Sequence, residues 1–427
     1  MRAEIISIGT ELLLGHTINS DAALVARVLA EYGLELRHVQ TVGDNAEDLA
    51  QALELAASRS DMIITTGGLG PTDDDLSKET VARFARAPLV ENAEALRHLA
   101  GYFGERPMSP NQIRQAYLPA GSIMLPNTIG TAPGCIVPFG AGQRVVMLPG
   151  PPRELEAMLR LAVAPFLAEL ASGTFQSAII RTFGIGEGAA AHMIRDLMQA
   201  ANPVVAPYAT GGEMFVKVTA FGRDKTEAQT IAGPVIEEIR GRLGNLVYGI
   251  DAGSLEEVVL AELVASHRTI ATAESCTGGL LAKRLTDLPG SSAAFQMGVI
   301  TYSNQAKQEM LGIPASTLEK FGAVSSQTAE AMATSVRRLA NTYYGIGITG
   351  IAGPDGATQD KPLGLVYIAL ATPDACLIRK TAPQGRYLGR EFTRERAASH
   401  ALDMLRRNLQ GLDEPQEHEL FMQSGGA

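Results

Sequence analysis

The chain has 427 residues, a length that corresponds to two or three domains. Its composition, 46% hydrophobic and 19% charged, is typical of a globular protein and excludes a disordered one. The formal net charge of −10 disfavours a general nucleic-acid binder, because such proteins need a basic surface to neutralise phosphates. We therefore expect no nucleic-acid partner.

The sequence gives no indication of a membrane or of an oxidising compartment. No apolar run approaches the roughly 18 residues of a membrane span, and Glu4 and Glu11 interrupt the apolar N-terminus. The cysteines, Cys135, Cys276 and Cys376, form no CxxC pair, and no two histidines have metal-ligand spacing. We expect a cytoplasmic protein without a membrane partner, a disulfide framework or a cysteine-rich zinc site.

Residues 1–170 alternate between strand and helix patterns. Strands are predicted at 3–8, 35–42 and 61–66, helices at 20–32, 46–59 and from about Asp73, a hairpin at 135–148, and a helix at 149–170. This order predicts an α/β domain whose parallel sheet is covered by helices. Its ligands would lie at the C-terminal ends of the strands.

Residues 171–252 read as a small βαββαβ unit, either KH-like or ferredoxin-like. A KH domain uses a GxxG loop to clamp a nucleic-acid backbone. Glu187 in the corresponding loop, residues 184–188, would repel phosphate. We therefore expect a structural connector.

Residues 253–410 return to an α/β pattern, and 411–427 read as a polar, frayed tail. Helices are predicted at 254–267, 280–288, 325–341 and 394–409, and strands at 269–275, 294–303, 342–350 and 363–372. The chain is thus predicted to be α/β at both ends, with an α+β connector between.

Ser275 stands where an apolar strand ends and a Gly-Gly helix start follows. The amides of Thr277, Gly278 and Gly279 would emerge from the helix N-terminus and could hold an oxyanion or a phosphate. A simple capped turn is the alternative, since Ser and Thr are ordinary N-caps. Cys276 is a rival nucleophile.

Tyr302, Asn304 and Lys307 follow a second strand, which the sequence predicts to be buried. A serine nucleophile needs a base, and a lysine serves if burial or a nearby cation keeps it neutral. The alternative is a solvated lysine on a helix that starts near Gln305.

Two further clusters indicate anion binding. Thr349 and Gly350 begin a Gly/Thr/Pro-rich turn directly after a strand, which would expose amides to an anionic ligand, or would simply be a tight turn. Arg390 and Arg394 lie one helical turn apart and could grip a phosphate, or be exposed helix charges.

The strongest signal in the N-terminal domain is the segment 65–75. Gly67, Gly68 and Gly70 would let a phosphate approach the backbone, and Asp73, Asp74 and Asp75 offer hard oxygen ligands for Mg²⁺ or a similar ion. It is not a Walker A loop, because the Gly-Lys-Ser/Thr ending is missing. The alternative is helix capping, with Thr72 as the N-cap and acidic residues in the first turn.

The C-terminal motifs together resemble the CinA (competence/damage-inducible) family. The segments ATAESCTGG, VITYSNQAK and TGIAGPDG and the late arginine helix have that family's order and spacing across most of 254–408. The resemblance implies a nicotinamide-nucleotide amidohydrolase, which converts nicotinamide mononucleotide to nicotinate mononucleotide and ammonia without a cofactor. It would make Ser275 the nucleophile, Lys307 its base, Tyr302 an orienting group, and Thr349 and Arg390 substrate contacts. Asp355 and the Leu388-Gly389 pair depart from the family pattern, which often has GPGG and GDR there.

The N-terminal segment, with Glu11 and the PGPP run at 149–152, resembles the MoaB/MogA-like molybdopterin-binding domain of CinA proteins over roughly 1–170. In that setting the resemblance implies a divalent-metal ADP-ribose pyrophosphatase. The pyrophosphate would lie on 67–72, the metal near 73–75 with Glu11, and Asn127 and residues 130–134 would complete the pocket. Molybdenum cofactor synthesis is the alternative for this domain.

Both implied activities would handle pyridine-nucleotide breakdown products. The rival classes are a non-catalytic scaffold for DNA uptake or repair, which the family name suggests, and a bare pterin-binding module. Broad α/β domains joined by a connector also lead us to expect a homodimer.

Overall fold

The computed structural model describes residues 1–171, 173–210, 213–383 and 387–415. The chain forms two compact units, one of residues 1–176 with 220–231 and one of residues 177–219 with 232–427. Of the predicted tail, residues 416–427 lie outside the described residues. At its start, Glu414 forms an ion pair with buried Arg379, 2.7 Å between Oε2 and Nη2, so this part of the tail is not frayed. No described helix combines the length and the apolar character needed to span a membrane.

The N-terminal domain is built on a six-stranded sheet with the order β2-β1-β3-β8-β7-β6. Its strands, with the separate β4–β5 pair, are β1 (Arg2–Ile8), β2 (Glu35–Val42), β3 (Met62–Thr66), β4 (Leu89–Glu91), β5 (Tyr117–Pro119), β6 (Ile123–Leu125), β7 (Gly134–Phe139) and β8 (Gln143–Leu148). Four neighbouring strands are parallel, but β6–β7 and the predicted β7–β8 hairpin are antiparallel. The sheet is therefore mixed, whereas the sequence predicted a parallel sheet for this domain.

The strand sequence explains why helices cover both faces of this sheet. Successive side chains of a strand point to opposite faces. In β1, Ala3 and Ile5 join the core under one helical layer, and Ile6 and Ile8 join the core under the other. A strand that is apolar on both faces is stable only between two layers, so the domain is an α/β/α sandwich.

The N-terminal helices are α1 (Thr10–Leu13), α2 (Ser20–Glu31), α3 (Ala46–Ala57), α4 (Ser77–Phe84), α5 (Ala93–Phe103), α6 (Pro110–Arg114), α7 (Pro152–Met158) and α8 (Ala164–Leu170), with one π turn at Leu159–Val163. Asn19, Asn45 and Asn92 cap α2, α3 and α5, each accepting from first-turn amides. The sequence did not predict β4, β5, β6, α5 or α6.

The expected helix start near Asp73 is wrong, because α4 begins at Ser77. The side chain of Asp75 accepts from both the amide and the hydroxyl of Thr72, 2.8 and 2.5 Å, and closes a turn instead. Ser77 then donates its hydroxyl to the Gly67 carbonyl at 2.9 Å and anchors the helix to the glycine loop. Thr72 is therefore not an N-cap.

The connector has the predicted βαββαβ order. Its elements are β9 (Thr174–Thr182), α9 (Glu187–Met193), β10 (Val204–Thr210), β11 (Glu213–Gly222), α10 (Lys225–Leu243) and β12 (Val247–Ile250), with the sheet order β10-β11-β9-β12. The sequence predicts the first helix over 187–200, but α9 ends at Met193. Glu187 lies at its start and accepts the Ala209 amide at 3.1 Å.

The C-terminal domain has a five-stranded sheet with the order β14-β13-β15-β16-β17. The strands are β13 (Ile270–Glu274), β14 (Phe295–Ile300), β15 (Tyr344–Gly350), β16 (Val366–Ala371) and β17 (Cys376–Thr381), and the helices are α11 (Leu255–Ala265), α12 (Leu280–Thr286), α13 (Asn304–Leu311), α14 (Ala315–Phe321), α15 (Ser326–Ala340) and α16 (Arg390–Leu409). Strand β14, which we expected to be buried, lies at the edge of the sheet with alternate residues exposed. The sequence did not predict α14 or β17.

Helix α15 packs against β15 so closely that two glycines of the strand leave no room for a Cβ atom. A Cβ at Gly345 would lie 2.2 Å from the Ala333 carbonyl oxygen, and one at Gly347 would lie 2.3 Å from that of Ala329. Any larger residue would push the helix away from the sheet. This contact holds the central strand from one side.

Candidate active sites

Strand β13 and helix α13 bring Ser275 and Lys307 together in the C-terminal domain. The Lys307 Nζ lies 3.1 Å from the Ser275 Oγ and also donates to the carbonyls of Thr301 at 2.8 Å and Tyr302 at 3.4 Å. Ser275 directly follows β13, and its amide donates to the Ile348 carbonyl at 2.9 Å. The pair that the sequence predicted is therefore in hydrogen-bond contact.

Lys307 is buried, with 1% of its surface exposed, so the alternative of a solvated lysine is wrong. Burial lowers the pKa of Lys307 below that of an ordinary lysine. No carboxylate is among its hydrogen-bond partners, which are a hydroxyl and two carbonyls. Lys307 therefore loses its proton more easily than an exposed lysine would.

Cys276, the rival nucleophile, is in a poor environment for reaction. Only 6% of its surface is exposed, and burial raises its pKa to about 12. A thiol needs to ionise to attack. Its neighbour Ser275, in contrast, has the Lys307 amine within hydrogen-bond distance.

The turn after Ser275 differs from the helix N-terminus that the sequence suggested. Helix α12 begins only at Leu280, and the buried carboxylate of Glu274 accepts its first-turn amides from Leu281 and Ala282 at 3.2 and 2.8 Å. The Gly278 amide donates to the Ser275 carbonyl at 3.1 Å. No sequence pattern predicted that Glu274, instead of a ligand, would occupy this helix end.

Two amides of the turn after Ser275 donate no hydrogen bond within the described part of the chain. Among the hydrogen bonds of the described residues, none is donated by the Thr277 or Gly279 amide. The Thr277 hydroxyl is likewise buried without a partner in that part of the chain. The turn therefore retains donors for an oxyanion next to Ser275, although Gly278 is not among them.

Helix α16 supplies two arginines to this site. Arg394 donates twice to the Thr277 carbonyl, at 2.8 and 3.2 Å, and so fixes the turn. Arg390 donates to the Gly353 carbonyl at 2.9 Å and to the Tyr302 hydroxyl at 3.0 Å. Tyr302 thus contacts Lys307 only through the Tyr302 backbone carbonyl, whereas the Tyr302 hydroxyl accepts a hydrogen bond from Arg390.

The remaining predicted substrate contacts are less direct. The Thr349 hydroxyl donates to the Ala323 carbonyl at 2.7 Å, and Thr349 is 1% exposed, so it stabilises the fold in this conformation. Gly350 is the last residue of β15, and a Cβ there would lie 2.6 Å from the Leu365 carbonyl oxygen. Asn304 is exposed at the first position of α13.

The N-terminal domain contains a cavity of about 570 Å³ at the C-terminal ends of β1 and β3. Gly67, Gly68 and Gly70 line it, and both Gly67 (φ 99°) and Gly68 (φ 67°) have left-handed backbone conformations that favour glycine. A Cβ at Gly67 would also lie 2.3 Å from the Ile8 carbonyl oxygen. The predicted glycine loop therefore forms the wall of a cavity.

The candidate metal ligands divide between the cavity and the surface. Glu11, Asp74 and Asp75 line the cavity, whereas Asp73 is 92% exposed in its side chain and pairs with Arg114 at 3.5 Å. Asp75 is also engaged with Thr72. No group of three or more His, Cys, Asp or Glu among the described residues is arranged to hold a metal ion.

Asn127 lies behind the cavity and is fully buried. Its Oδ1 accepts the amides of Ile129 and Gly130, and its Nδ2 donates to the Ala132 carbonyl and to Glu154 Oε2 at 2.7 Å. It therefore shapes the loop instead of lining the cavity as we expected. Glu154, which the sequence reasoning missed, is the lining residue that it orients.

The charges around the cavity fit a divalent cation. Six carboxylates line it and no cationic side chain among the described residues does; the carboxylates are Glu11, Asp21, Asp44, Asp74, Asp75 and Glu154. Mg²⁺ prefers oxygen ligands and is commonly held by one or two carboxylates together with substrate phosphates. The lack of a three-residue cluster is compatible with that mode, in which the ligand completes the coordination.

Comparison with known families matches all three parts of the chain. Residues 4–169 match the family model described as "Probable molybdopterin binding domain", residues 177–249 the "Damage-inducible protein CinA KH domain", and residues 252–409 the "CinA C-terminal domain". The second match decides for a KH-like connector over a ferredoxin-like one.

Relatives resemble the chain along almost its whole length. It is 57% identical to a CinA-like protein of Desulfovibrio desulfuricans over 96% of this chain and 97% of the relative, and 44% identical to one of Kosmotoga olearia over 96% and 99%. A crystal structure of the competence/damage inducible protein CihA from Agrobacterium tumefaciens is 38% identical, covering 37% of this chain and 97% of that one with a TM-score of 0.35. The identity to the two full-length relatives, together with the three family-model matches, means that the chain belongs to the CinA family, in the form that carries a molybdopterin-binding-like domain, a KH-like connector and a CinA C-terminal domain.

Proposed function

We propose that the C-terminal domain is an amidohydrolase that converts nicotinamide mononucleotide to nicotinate mononucleotide and ammonia. The observation that carries this proposal is the 3.1 Å contact between the Ser275 hydroxyl and the amine of buried Lys307. A hydroxyl beside a lysine whose pKa is lowered by burial has a base within reach, which is what an activated nucleophile requires. Arg390, beside the Tyr302 hydroxyl, supplies a cation for the substrate phosphate.

In the proposed reaction the Ser275 Oγ attacks the carboxamide carbon and Lys307 takes the hydroxyl proton. The amides of Thr277 and Gly279 stabilise the oxyanion. Lys307 returns its proton to the departing nitrogen, ammonia leaves, and the nicotinoyl group remains as an ester on Ser275. Water, deprotonated by Lys307, then cleaves the ester to the carboxylate and restores the serine. The step needs no metal or organic cofactor.

Ammonia release from nicotinamide mononucleotide by the purified chain tests this proposal. We expect release from the nucleotide and little from free nicotinamide, because Arg390 has no phosphate to bind in the latter. The Ser275→Ala protein, prepared in parallel, measures any contaminating amidase. Equal release by the parent and this variant would contradict the proposal.

For the N-terminal domain we propose a metal-dependent pyrophosphatase that splits ADP-ribose into AMP and ribose 5-phosphate. The glycine loop would take the pyrophosphate, and Glu11, Asp74 and Glu154 are the carboxylates best suited to hold a divalent cation. Such a cation, when bound, neutralises phosphate charge. Pterin binding is the second candidate, supported by the family model over residues 4–169.

We expect a chelator to abolish the pyrophosphatase and to leave the amidohydrolase unchanged. Six carboxylates face the cavity without a cationic side chain among the described lining residues, so a pyrophosphate would be repelled without a metal. AMP release from ADP-ribose should fall to background with EDTA and return with excess Mg²⁺, while ammonia release stays constant in the same samples. AMP release that persists in EDTA would refute metal dependence.

A non-catalytic scaffold for DNA uptake or repair, with no turnover of either nucleotide, remains the rival from another class. The net charge of −10 and the acidic Glu187 loop argue against direct DNA binding. We propose a homodimer acting on small nucleotides, without a nucleic-acid or membrane partner.

A further inference from the structure

Asn127 is a fully buried carboxamide of the N-terminal domain that uses all of its hydrogen-bonding capacity. Its Oδ1 accepts the amides of Ile129 and Gly130 at 3.1 and 2.8 Å. Its Nδ2 donates to the Ala132 carbonyl at 3.0 Å and to Glu154 Oε2 at 2.7 Å. Because two N–H groups point at Oδ1, the carboxamide cannot be turned round, and its NH₂ group faces Glu154.

The four hydrogen bonds of Asn127 divide between its own loop and a second element. Three of them stay within residues 127–132 and fix the shape of that loop. The fourth leaves the loop and reaches the first turn of α7, where Glu154 lies. This bond therefore determines where the Glu154 carboxylate stands relative to the loop.

The Glu154 carboxylate is held by one oxygen and offers the other. Glu154 lines the cavity of about 570 Å³, and within the described part of the chain its Oε1 is neither buried nor hydrogen-bonded. A Cβ at Gly130 would lie 2.7 Å from Oε1 and closer still to Oε2, so the carboxylate rests against this glycine. Pro151 and Pro152 stiffen the backbone just before it.

We propose that Asn127 is a positioning residue that holds Glu154 in place as a ligand for a divalent cation in the N-terminal cavity. The inference rests on the proposed metal-dependent function of that cavity. Mg²⁺ and Mn²⁺ prefer oxygen ligands, and a carboxylate that is already fixed loses less conformational freedom when it binds one. Loss of a group that orients a ligand in this way typically weakens metal binding by roughly 10- to 100-fold.

The test is a titration of Mn²⁺ alone into the intact chain, with free Mn²⁺ measured by electron paramagnetic resonance. Asn127→Asp keeps the acceptor for the loop amides but turns the donor that faces Glu154 into a carboxylate oxygen. Gly130→Ala leaves Asn127 unchanged and displaces the flexible end of Glu154, and the Gly130 backbone is not left-handed, so this variant should fold even if Asn127→Asp does not. We expect each variant to bind Mn²⁺ about tenfold more weakly or worse.

A double-mutant cycle shows whether Asn127 acts through Glu154. Glu154→Gln alone should weaken Mn²⁺ binding, and adding Asn127→Asp to it should cost little more, because the group that Asn127 positions is already lost. The introduced glutamine can donate to the introduced aspartate, so the double variant should melt at a higher temperature than Asn127→Asp. Additive losses of affinity would overturn the inference.

Asn92→Asp is the matched control, since it adds the same charge at the cap of α5, outside the cavity. Its Mn²⁺ affinity should equal that of the parent. If the carboxylates attracted the cation by charge alone, Asn127→Asp would bind Mn²⁺ more tightly than the parent, and that result would overturn the positioning role.

The outcomes separate this inference from the proposed pyrophosphatase. A parent that binds Mn²⁺ with the expected dependence on Asn127 but releases no AMP from ADP-ribose supports the inference and refutes the pyrophosphatase. A parent that hydrolyses ADP-ribose, while Asn127→Asp and Gly130→Ala bind Mn²⁺ as tightly as it does, overturns the inference alone. A parent that binds no Mn²⁺ also overturns it.

Discussion

Replacing Lys307 with Met is expected to reduce ammonia release from nicotinamide mononucleotide by about 10³-fold or more, as is usual when one member of a nucleophile–base pair is lost. The methionine fills the same volume but takes no proton from Ser275. Lys307→Arg should be equally inactive, because a guanidinium stays protonated. Single-turnover kinetics with nicotinamide mononucleotide measure the effect.

The same substitution should stabilise the domain at neutral pH. Burial lowers the pKa of Lys307 in the folded state, so the unfolded state binds more protons and the stability of the parent rises with pH up to the ordinary lysine pKa. Lys307→Met has no such dependence, and its advantage in melting temperature should shrink as the pH approaches about 10. If Lys307→Met is inactive and also less stable at pH 7, Lys307 has a structural role. If Lys307→Met is active, Lys307 is not the base.

The second large effect is expected at Asp403, a residue of α16 to which we assign no part in the proposed chemistry. Its carboxylate binds Arg379 at 3.0 Å, Arg406 at 2.7 Å and Arg407 at 3.1 Å, and all four side chains are at most 7% exposed. Asp403→Ala would leave three guanidinium groups buried without this counter-charge. We expect a loss of roughly 3–5 kcal/mol of unfolding free energy, measured by urea denaturation of the C-terminal domain's transition.

Asp287→Ala is the matched control, because Asp287 forms an exposed ion pair with Lys283 and its loss should change little.

The pH dependence of stability gives a second readout if Asp403→Ala fails to fold. Burial alone would raise the Asp403 pKa, but the three arginines outweigh it and hold the pKa below its usual value. The stabilisation is thus fully present above the ordinary aspartate pKa and is lost as the pH falls from there through the lowered pKa of the folded state, so the milder Asp403→Asn should approach the parent only below about pH 4. Equal melting of the Asp403 and Asp287 variants at pH 7 would contradict the expectation.

Periodicity was a good guide where an element is long and apolar on one or two faces. Strands β1, β3, β13 and β15 and helices α2, α3 and α15 lie where the sequence predicts them. Short elements such as β4 and α6 carry too few residues for a period to emerge. The start of α4 was misjudged because Thr72 and the aspartates after it look like a capped helix, whereas Asp75 closes a separate turn.

For the C-terminal site, the sequence could indicate which residues meet but not how each is used. Lys307 lies on a polar helix, and its burial results from a turn that approaches from 32 residues away. The Thr349 hydroxyl donates to the Ala323 carbonyl, a contact that no local sequence pattern predicts. Glu274 lies inside the ATAESCTGG segment, but its contact with the first amides of α12 is visible only in the folded chain.

The close approach of α15 to β15 has a consequence for how the C-terminal domain tolerates change. The Ile348 carbonyl that receives the Ser275 amide follows Gly347, one of the two glycines on which the helix rests. The position of Ser275, the proposed nucleophile, thereby depends on how closely this helix packs on the sheet, a distance that a single added methyl group would change. Positions that never meet a substrate can therefore be as intolerant of substitution as the reacting residues themselves.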